Sequence, residues 1–520
     1  MTIPTPRERA QLGSLSRVAA CLINERAVES TFADKTITIR HANSKDEEIR
    51  FQLRQVPLRT GYVYPKDFTS AVSHTHGEAI ADGADLMQLY GRWAGINVDR
   101  VYAEFKNCVD NQELAYQKPT DHLSIDSPII DWEQAIIEGH SIHPWHKCRF
   151  PLVSDFTTAT IHFVLLDRDS EGITVAGDYN HWIQKALTPE LKTPLKPTQI
   201  IIPVHSLQLP NIKSHFPTAE ILPHTLQGHP QSSLRTINLP TTTEICIKIP
   251  VPLKITSIVR TIRPWAITVG HRMSPILTLL EQAASSFGGS LITLREHSAA
   301  ASPSDHLGCI IRESTESVAA RTNSRIIVCA ALTENITAIW DPATLSHEER
   351  CSILREYCVS LFRALLPSVL LHGFALQAHL QNLLIRLDPV SKKILGFVAR
   401  DFGSFRVHAE TFRATAGVDI NTDWVLTSMD SLEKVYGYIL SVVHGHVTRM
   451  TRALEVGNEG WRIAREELEG IIPEGNELAR RVWLESETRV ARAHISMQLY
   501  GVKSECRNIE APNLFWYATQ

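Results

Sequence analysis

A block rich in proline, threonine and β-branched residues, from about 129 to 340, divides this chain of 520 residues into three parts. β-Branched residues favour strands and frequent prolines limit helix length, so we expect this block to consist mainly of strands and loops. The flanking parts, 1–128 and 341–520, have helical periodicity over long stretches. A chain of this length is too long for one hydrophobic core. The sequence therefore predicts an α+β fold with several domains, divided near residues 128 and 340.

Several segments have patterns that predict individual elements. Alternation of apolar and polar residues over Lys35–Arg40 predicts a strand, and helical periodicity predicts a helix over Gly77–Phe105. Ser346 and Glu349 have the spacing of a capping box, which predicts a helix from Ser346 through Leu365. The other predicted strands, the last two of them forming a hairpin, are Thr158–Leu166, Ile200–Val204, Ile245–Ile255, Leu383–Asp388 and Ile394–Ala399.

The composition argues against several classes of protein. Lysine and arginine total 52 against 56 aspartate and glutamate residues, a net charge of -4, so nucleic acid is not an expected partner. The N-terminal segment is charged throughout and no window of about 18 apolar residues occurs, so we expect neither an export signal nor a membrane span. The nine cysteines are scattered without a CxxC pair. Reduced thiols in a cytoplasmic enzyme are therefore the expectation.

The densest group of chemically active side chains lies between Glu138 and Arg149, where Pro144 stiffens the backbone. Its members are His140, His143, His146, Lys147 and Arg149. Neither a solvated surface nor an apolar core requires imidazoles at this density. Crowded cationic and donor groups suit an anion, and polyphosphate is a common biological one. We therefore predict a phosphate-binding loop here, with a loop of incidental histidines as the alternative.

A second candidate follows the strand-like run Lys248–Ile255. Thr256 and Ser257 end this run, and Arg260 and Thr261 come three residues later. Short hydroxyls bind phosphate or ribose without bulk, and arginine can bind a carboxylate or phosphate through two hydrogen bonds. Because such residues at a strand end are usually turn formers, this pattern alone is weak evidence for a site.

A third candidate is Arg312, which follows the apolar pair Ile310 and Ile311 and precedes Glu313. An arginine and a glutamate after an apolar strand are commonplace in proteins. The position gains weight only together with the other segments.

A fourth candidate combines His379 and Asn382 with Asp401. His379 and Asn382 are three residues apart, which places them on one helical face or in a tight turn. The predicted hairpin that follows would return the chain and bring Asp401 beside Asn382. An asparagine and an aspartate presented together suit magnesium bound to a polyphosphate, because this ion prefers oxygen ligands. The alternative is a buried polar helix and an ordinary turn.

In chain order, these segments resemble the signature motifs of the siderophore synthetases that act independently of nonribosomal peptide synthetases, the NIS synthetase or IucA/IucC family. The loop is similar to the family pattern E-G-H-P-x-H-P-x-x-K-x-R, and Arg312 lies in a segment similar to I-x-R-E-N. The strand end matches I-T-S-x-x-R-T, and the fourth segment matches H-x-Q-N followed by R-D-x-G. Ser141, Trp145 and Gln377 depart from the family pattern, which has glutamate at the last of these positions. The resemblance hardly touches the first 125 residues.

The resemblance implies a cupped-hand architecture, with ATP and Mg²⁺ in a central cleft. The helical thumb would be 1–128, the β-rich fingers 129–340, and the palm of helices and a hairpin 341–520. The implied catalytic residues are His143, Lys147 and Arg312. The implied nucleotide contacts are His143, Lys147, Arg149, Thr256, Ser257, Arg260, Thr261, His379 and Asn382. The implied metal ligands are Asn382 and Asp401.

The same resemblance implies an ATP-dependent ligase. Such an enzyme adenylates a polycarboxylic acid such as citrate, releases pyrophosphate and transfers the acyl group to an amine or alcohol. The amide or ester product would belong to siderophore or other secondary-metabolite biosynthesis. The expected partners are therefore small-molecule acids, amines and alcohols. Relatives are often dimers, so a homodimer is also allowed.

Two other functions stay open at this stage. The pairing of an H-x-x-N segment with a later D-F-G is similar to the metal-binding parts of protein kinases, although a Gly-rich loop and a V-A-I-K strand are missing. The departures at Ser141, Trp145 and Gln377 allow a catalytically weakened homologue that binds a carboxylate. The nucleotide product separates these functions, because ligation yields AMP and pyrophosphate whereas a kinase yields ADP.

Overall fold

A helix and a four-stranded antiparallel sheet begin the N-terminal part of the protein. The computed structural model describes residues 4–54, 61–75, 77, 79–118, 122–192, 194–256, 258–418, 428–500 and 508–519. The first elements are α1 (Pro6–Asn24), β1 (Glu29–Ala33), β2 (Thr36–His41), β3 (Ser44–Leu53), β4 (Phe68–His74), α2 (Gly83–Ala94) and α3 (Asp99–Gln117). The strand predicted at Lys35–Arg40 is confirmed as β2. The helix predicted over Gly77–Phe105 is instead two helices, because Gly95 adopts a left-handed φ of 67° and ends α2.

The central part is built on a nine-stranded antiparallel sheet and a smaller three-stranded one. Its strands are β5 (Arg149–Phe150), β6 (Ala159–Asp167), β7 (Thr174–Ala176), β8 (Gln199–His205), β9 (Glu220–Ile221), β10 (Leu226–Pro230), β11 (Thr236–Asn238), β12 (Ile245–Lys248), β13 (Val251–Ile255), β14 (Ile258–Arg260), β15 (Leu291–Thr293), β16 (Glu296–Ala301), β17 (Gly308–Glu313) and β18 (Arg325–Val328). Its helices are α4 (Ile129–Gln134), α5 (Tyr179–Ile183), α6 (Leu209–His215), α7 (Pro264–Ser286), α8 (Thr315–Thr322) and α9 (Cys329–Glu334). The large sheet has the order β7-β16-β17-β12-β11-β10-β6-β8 with β9 against β6, and the small sheet has the order β14-β13-β5.

One of the three strands predicted in this part is wrong in its extent. The strands predicted at Thr158–Leu166 and Ile200–Val204 are confirmed as β6 and β8. The single strand predicted over Ile245–Ile255 is instead two, because Pro250 interrupts it. β12 belongs to the large sheet and β13 to the small one. The chain therefore changes sheets within a few residues, immediately before the segment that carries Thr256.

The C-terminal part packs a long helix against a four-stranded mixed sheet. Its elements are α10 (His347–His372), β19 (Phe374–Ala375), β20 (Leu383–Leu387), β21 (Ile394–Ala399), β22 (Arg406–Val407), α11 (Ala409–Ala416), α12 (Leu432–Ala453), α13 (Gly457–Ile471), α14 (Glu477–Arg480), β23 (Thr488–Arg492), α15 (His494–Tyr500), β24 (Asn508–Pro512) and α16 (Leu514–Tyr517). The sheet order is β15-β21-β20-β18, and the predicted hairpin is confirmed as β20 and β21. The capping box of Ser346 and Glu349 is also confirmed, but α10 continues past Leu365 through Pro367 and ends at Gly373.

Three large apolar clusters form the core. One lies between α1, α2, α3 and the first sheet, a second lines the nine-stranded sheet, and the largest surrounds α10 and the β20–β21 hairpin. The largest cluster also includes apolar residues of α7, β18 and α9, as well as Trp132 of α4. Among the described helices, none has the length and apolar character needed to cross a bilayer. The eight described cysteines are free thiols.

A buried ion pair connects α4 to the end of the hairpin. Arg400 NH1 lies 2.5 Å from Glu133 Oε1, and NH2 lies 3.1 Å from Oε2. The same guanidinium donates to Gln231 Oε1 at 3.0 Å and to the carbonyl oxygen of Gln381 at 2.8 Å. Burial alone would raise the pKa of Glu133, but Arg400 holds this pKa below its usual range. This pair fixes the hairpin end, and the following Asp401, relative to the central part.

Replacing Arg400 with methionine should destabilise the protein strongly. The substitution leaves Glu133 as an unpaired charge in a buried site, a change that costs about 3–5 kcal/mol in other proteins. The midpoint of urea unfolding should fall accordingly, as followed by circular dichroism. Arg325→Met is the matched control, because the Arg325–Asp126 pair is exposed and such pairs contribute little. Equal midpoints for the two variants would contradict the structural role of the buried pair.

Candidate active site

A large cavity lies where the three parts of the chain meet. Its volume is 2510 Å³, and residues from Tyr64 to Glu510 line it. Ten of the residues singled out in the sequence line this one cavity: His143, Lys147, Arg149, Thr256, Arg260, Thr261, Arg312, His379, Asn382 and Asp401. Ser257 lies outside the described residues. Segments far apart in sequence therefore present their polar side chains to one space.

The backbone of the histidine-rich loop is held by a single carboxylate. The amides of Ile137, Glu138 and Gly139 donate to Glu334 at 2.8, 2.9 and 3.0 Å. Gly139 has a φ of 65°, a left-handed conformation that glycine adopts at low cost. Arg449 NH2 also donates a hydrogen bond to Glu334 Oε1, at 3.2 Å. The start of the loop is thus anchored to the end of α9, and through Arg449 to α12.

The histidines of this loop have different surroundings. His143 lies half-buried in the cavity, and its ring centroid is 4.2 Å from that of His494. Burial, together with His494 and His140, lowers the pKa of His143 well below the usual value, so the imidazole is neutral. His146 is buried, and its Nε2 lies 3.1 Å from Gln112 Oε1. Of these histidines, His143 therefore has the better position for contact with a bound molecule.

Trp145, a departure from the family pattern, has a structural role. Its side chain is completely buried in the N-terminal core, and its indole Nε1 donates to Glu104 Oε2 at 2.7 Å. Lys254 Nζ lies 2.6 Å from both oxygens of the same carboxylate. Trp145 thus links the loop to α3 and to β13. Its indole fixes the loop from behind and leaves the cavity-facing donors in place.

Lys147 and Arg149 supply positive charge to this side of the cavity. Lys147 Nζ donates to the carbonyl oxygen of Ile136 at 2.8 Å, and Arg149 NH1 donates to that of Cys148 at 2.7 Å. Burial, with a contribution from Arg149, lowers the pKa of Lys147 to about 8. Both side chains have unused donor capacity, because an ammonium offers three hydrogens and a guanidinium five. They can therefore bind an anion without losing these contacts.

The strand-end segment contains a strained residue. Thr256 has a φ of 56°, which is an outlier for a β-branched side chain. Its Oγ1 accepts a hydrogen bond from Arg260 NH2 at 2.7 Å. Arg235 reinforces the segment, since its NH1 donates to the carbonyl oxygen of Thr261 at 2.8 Å. Strained backbone of this kind concentrates at functional sites, where the surrounding structure maintains it.

Asp401 lies at the centre of the most highly charged group in the cavity. Lys248 Nζ is 2.6 Å from Asp401 Oδ1, and Arg312 NH2 is 3.8 Å from the same atom. Arg312 NH2 is also 3.2 Å from Glu296 Oε1. Burial alone would raise the pKa of Asp401. The neighbouring cations Lys248, Arg312 and Arg235 instead hold this pKa well below its usual range. Asp401 also has a left-handed φ of 65°, a conformation it shares with Thr256 in the same site.

Arg312 and Lys248 both lie beside the carboxylate of Asp401. The Arg312 side chain is only 2% exposed, and its Nε is buried without a hydrogen-bond partner among the described residues. Burial lowers the pKa of Lys248 to about 8, with further lowering by Arg235 and Arg312, despite the favourable contact with Asp401. The cations exceed the carboxylates here. This wall of the cavity is therefore prepared for an additional anion.

His379 and Asn382 lie in a tight turn, one of the two arrangements expected from their spacing. The backbone amide of Asn382 donates to the backbone carbonyl oxygen of His379 at 2.8 Å. The backbone amide of Arg400 donates to the backbone carbonyl oxygen of Asn382 at 3.0 Å. The hairpin therefore brings Asp401 back beside Asn382, as predicted. Burial lowers the pKa of His379 to about 4, so this imidazole is also neutral. The site thus combines neutral histidines with permanently charged arginines.

Several residues of the site escaped the sequence analysis. Lys248 and Arg235 contribute directly to the cationic wall, Glu296 pairs with Arg312, and the ring of His494 contacts that of His143 in a tilted arrangement. A signal was available for Lys248, because it ends a short strand that is otherwise apolar, Ile245–Lys248. Arg235 and His494 lie in segments without a comparable pattern. Only the folded chain shows that they share the cavity.

Comparison with known proteins shows which proteins this chain resembles. Residues 128–334 match the model of the IucA / IucC family, and residues 354–502 match a model described as ferric iron reductase FhuF-like transporter. The chain is 30% identical over 381 residues to the NRPS-independent siderophore synthetase-like protein ankE of Aspergillus thermomutatus, covering 66% of this chain and 61% of that protein. It is 27% identical over 489 residues to the NRPS-independent siderophore synthetase rfs of Rhizopus delemar, covering 85% and 76%.

Solved structures of the same class have the same fold. The petrobactin biosynthesis protein AsbB of Bacillus anthracis has a TM-score of 0.77 and 16% identity, covering 99% of this chain and 96% of AsbB. The aerobactin synthetase IucC of Klebsiella pneumoniae has a TM-score of 0.75 and 16% identity, covering 99% of this chain and all of IucC (100%). The predicted fold class is therefore confirmed. The resemblance to the IucA/IucC family that the motifs predicted is also confirmed, by the family model over residues 128–334 and by the two synthetase relatives.

Anion binding in the cavity should weaken as the pH rises through about 8. Lys147 and Lys248 both have pKa values lowered to about 8, so each loses its charge above that pH. Affinity for sulfate, whose own charge is constant in this range, should fall about tenfold between pH 7 and pH 9 for each lysine that contacts it. Isothermal titration calorimetry would measure this, with Lys147→Met expected to flatten the profile. A pH-independent affinity in the unmodified protein would contradict the lowered pKa values.

Proposed function

We propose that this protein is an ATP-dependent ligase that adenylates a polycarboxylic acid and transfers the acyl group to an amine or alcohol. The observation that carries the proposal is the convergence of ten residues, from four separate segments, on one cavity with an excess of cations. Relatives named as siderophore synthetases support the same reaction class. The structural neighbour named as ATP-bound aerobactin synthetase IucA, with a TM-score of 0.75, supports ATP as a substrate.

The chemistry of carboxylate activation explains why such a site needs many cations. A free carboxylate is a poor acyl donor, because oxide is a poor leaving group. In adenylation, a carboxylate oxygen forms a bond to the α-phosphorus of ATP and pyrophosphate leaves. The amine or alcohol then forms a bond to the acyl carbon, AMP leaves, and the nucleophile loses a proton. Negative charge builds up on phosphate oxygens during the first step, and prearranged cations stabilise it.

The two charged walls suggest a division of roles. Lys147 and Arg149, with neutral His143 as an additional hydrogen-bond donor, would bind phosphate oxygens on the side of the anchored loop. Arg260, with Thr256 and Thr261, would bind the opposite side of the triphosphate. Since an arginine can bind a carboxylate in a bidentate manner, the buried Arg312 is the proposed carboxylate contact. His143, Lys147 and Arg312 are thus the proposed catalytic residues.

The donor set also fits Mg²⁺, provided that the ion arrives with the nucleotide. The amide nitrogen of Asn382 donates to the carbonyl oxygen of Gln377 at 3.2 Å, so its oxygen is the atom that a cation would use. Asp401 supplies a carboxylate that stays ionised. Lys248 already neutralises this carboxylate, which disfavours a bare divalent ion. Once bound, Mg²⁺ would offset phosphate charge and hold the triphosphate in one orientation.

The ion pair between Lys248 and Asp401 would be reorganised when the nucleotide binds. The ammonium of Lys248 and the guanidinium of Arg312 now share Asp401 as their counter-ion. A phosphate offers these cations a second anion, which would release part of the carboxylate for the metal. His379 would remain a neutral hydrogen-bonding contact for the nucleotide, because burial keeps its pKa near 4.

The reaction is tested by screening carboxylic acids for pyrophosphate release and for AMP formation. His143→Ala and Lys147→Ala should each lower the rate about a hundredfold to a thousandfold, the range observed when one prearranged donor is removed. His372→Ala is the matched control, because this half-buried histidine is not among the residues that line the cavity and its replacement should leave the rate unchanged. Release of ADP with a phosphorylated acceptor would overturn ligation and favour a phosphotransferase.

Gln377 allows the weakened-homologue alternative to be tested separately. It lines the cavity next to Asn382, at the position where the family has glutamate. If Gln377 impairs metal binding, Gln377→Glu should lower the Mg²⁺ concentration needed for half-maximal pyrophosphate exchange, and Gln381→Glu should not. Absent exchange in the natural protein together with exchange in Gln377→Glu would establish a locally weakened site. Absent exchange in both would argue against adenylation by this chain.

A further inference from the structure

A second group of metal-binding side chains lies on the outside of the C-terminal part, among residues that do not line the cavity. His347 and Cys351 are four residues apart in the first turns of α10, which places them on one helical face. Glu459 reaches the same point from the first turn of α13. The ligand atoms of these three residues all lie within 4.8 Å of one another.

The three side chains converge on one ring nitrogen. Glu459 Oε2 lies 2.8 Å from His347 Nε2, and Cys351 Sγ lies 3.6 Å from the same nitrogen. A Cys-His-Glu catalytic relay needs the thiol and the carboxylate on opposite ring nitrogens, because the imidazole transfers a proton between them. That reading is therefore excluded by the geometry. A nitrogen, a sulfur and an oxygen atom that face one common point are instead the set of ligands that a metal ion requires.

The packing of the two helices holds this arrangement in place. A Cβ atom added to Gly460 would lie 2.9 Å from Leu354 Cδ2 and 2.8 Å from Thr451 Cγ2, so this glycine lets α13 approach α10 closely. Glu459 directly precedes Gly460, and Leu354 lies one turn beyond Cys351 on α10. The ligands are thus carried by rigid helices whose contact is buried. This rigidity lowers the cost of assembling a site.

We propose that His347, Cys351 and Glu459 form a site for Zn²⁺ or a similar transition metal. A mixed nitrogen, sulfur and oxygen donor set suits zinc and does not suit magnesium or calcium, which prefer oxygen alone. On binding, the thiol loses its proton and the imidazole binds through the deprotonated Nε2. Three protein ligands leave a fourth position for water.

The site is open to solvent, and two of the arginines near it have partners elsewhere. The side chains of His347 and Glu459 are 51% and 46% exposed, so an ion can reach them. Arg355 pairs with Glu466 and Glu467, and Arg350 donates to the carbonyl oxygens of Leu454 and Glu455. Arg350 and Arg355 therefore have other partners, and Arg462 is a third arginine that acts on both Cys351 and Glu459. A bound ion would connect the start of α10 to the start of α13.

Zinc titration of the full-length, chelator-treated protein tests the proposal. One equivalent of Zn²⁺ should bind to the natural chain, and its affinity should fall by at least about 10–100-fold in His347→Ala, Cys351→Ala and Glu459→Ala. Glu455→Gln is the matched control, because it removes an exposed carboxylate four residues before Glu459, in the turn that precedes α13, and should bind zinc normally. Equal zinc affinity in all five proteins would overturn the site and indicate binding elsewhere.

Cobalt and thiol labelling provide readouts that do not depend on ligase activity. Co²⁺ should give a thiolate-to-metal absorption band in the natural protein and not in Cys351→Ala. Zinc should also protect the Cys351 peptide from alkylation, as measured by mass spectrometry, and should raise the melting temperature only when all three ligands are present. A cobalt band that persists in Cys351→Ala, or alkylation of Cys351 that zinc does not slow, would overturn the assignment. Neither result bears on pyrophosphate release.

Discussion

The site is organised by an excess of positive charge around one carboxylate. Lys248, Arg312 and Arg235 act on Asp401, and each of them comes from a different strand or loop of the central part. Like charges at this separation repel, so the arrangement persists only because surrounding structure fixes each side chain. The Arg400–Glu133 pair holds the hairpin end, and the large sheet holds Lys248 and Arg312 on β12 and β17. An anion that entered this part of the cavity would relieve the repulsion among the three cations.

The 138–149 loop is held in place by contacts on the side that faces away from the cavity. The cavity-facing donors of the 138–149 segment depend on contacts that point away from the cavity, namely Glu334 on the backbone and Glu104 on the Trp145 indole. Glu334 is also bound by Arg449. The loop is therefore positioned by carboxylates on two other elements, α3 and α9. A change of residue at Trp145 relative to related proteins need not alter the donors, provided that the indole retains its own partner.

Local patterns in the sequence predicted the elements whose signals are local. The capping box at Ser346 and the hairpin from Leu383 to Ala399 depend on spacing along the chain, and both are confirmed. The two helices within 77–105 and the two strands within 245–255 were merged, because apolar periodicity does not show where a glycine or proline redirects the backbone. The pairing of Lys248 with Asp401 was missed because the two residues are 153 positions apart, although the place of Lys248 at the end of an apolar strand is a local signal. Long-range electrostatic pairing has no signature in a single sequence.

The change of sheets between β12 and β13 has a mechanical consequence. Only Ile249 and Pro250 separate Lys248, on the large sheet, from Val251, on the small one. The two sheets thus meet at a short, stiff joint, with Lys248 before it and the Thr256–Arg260 hydrogen bond soon after it. Adding or deleting one residue at this joint would rotate every following side chain of β13 to the other face. Natural variation across this family should therefore tolerate exchange of side chains here far more readily than any change in length.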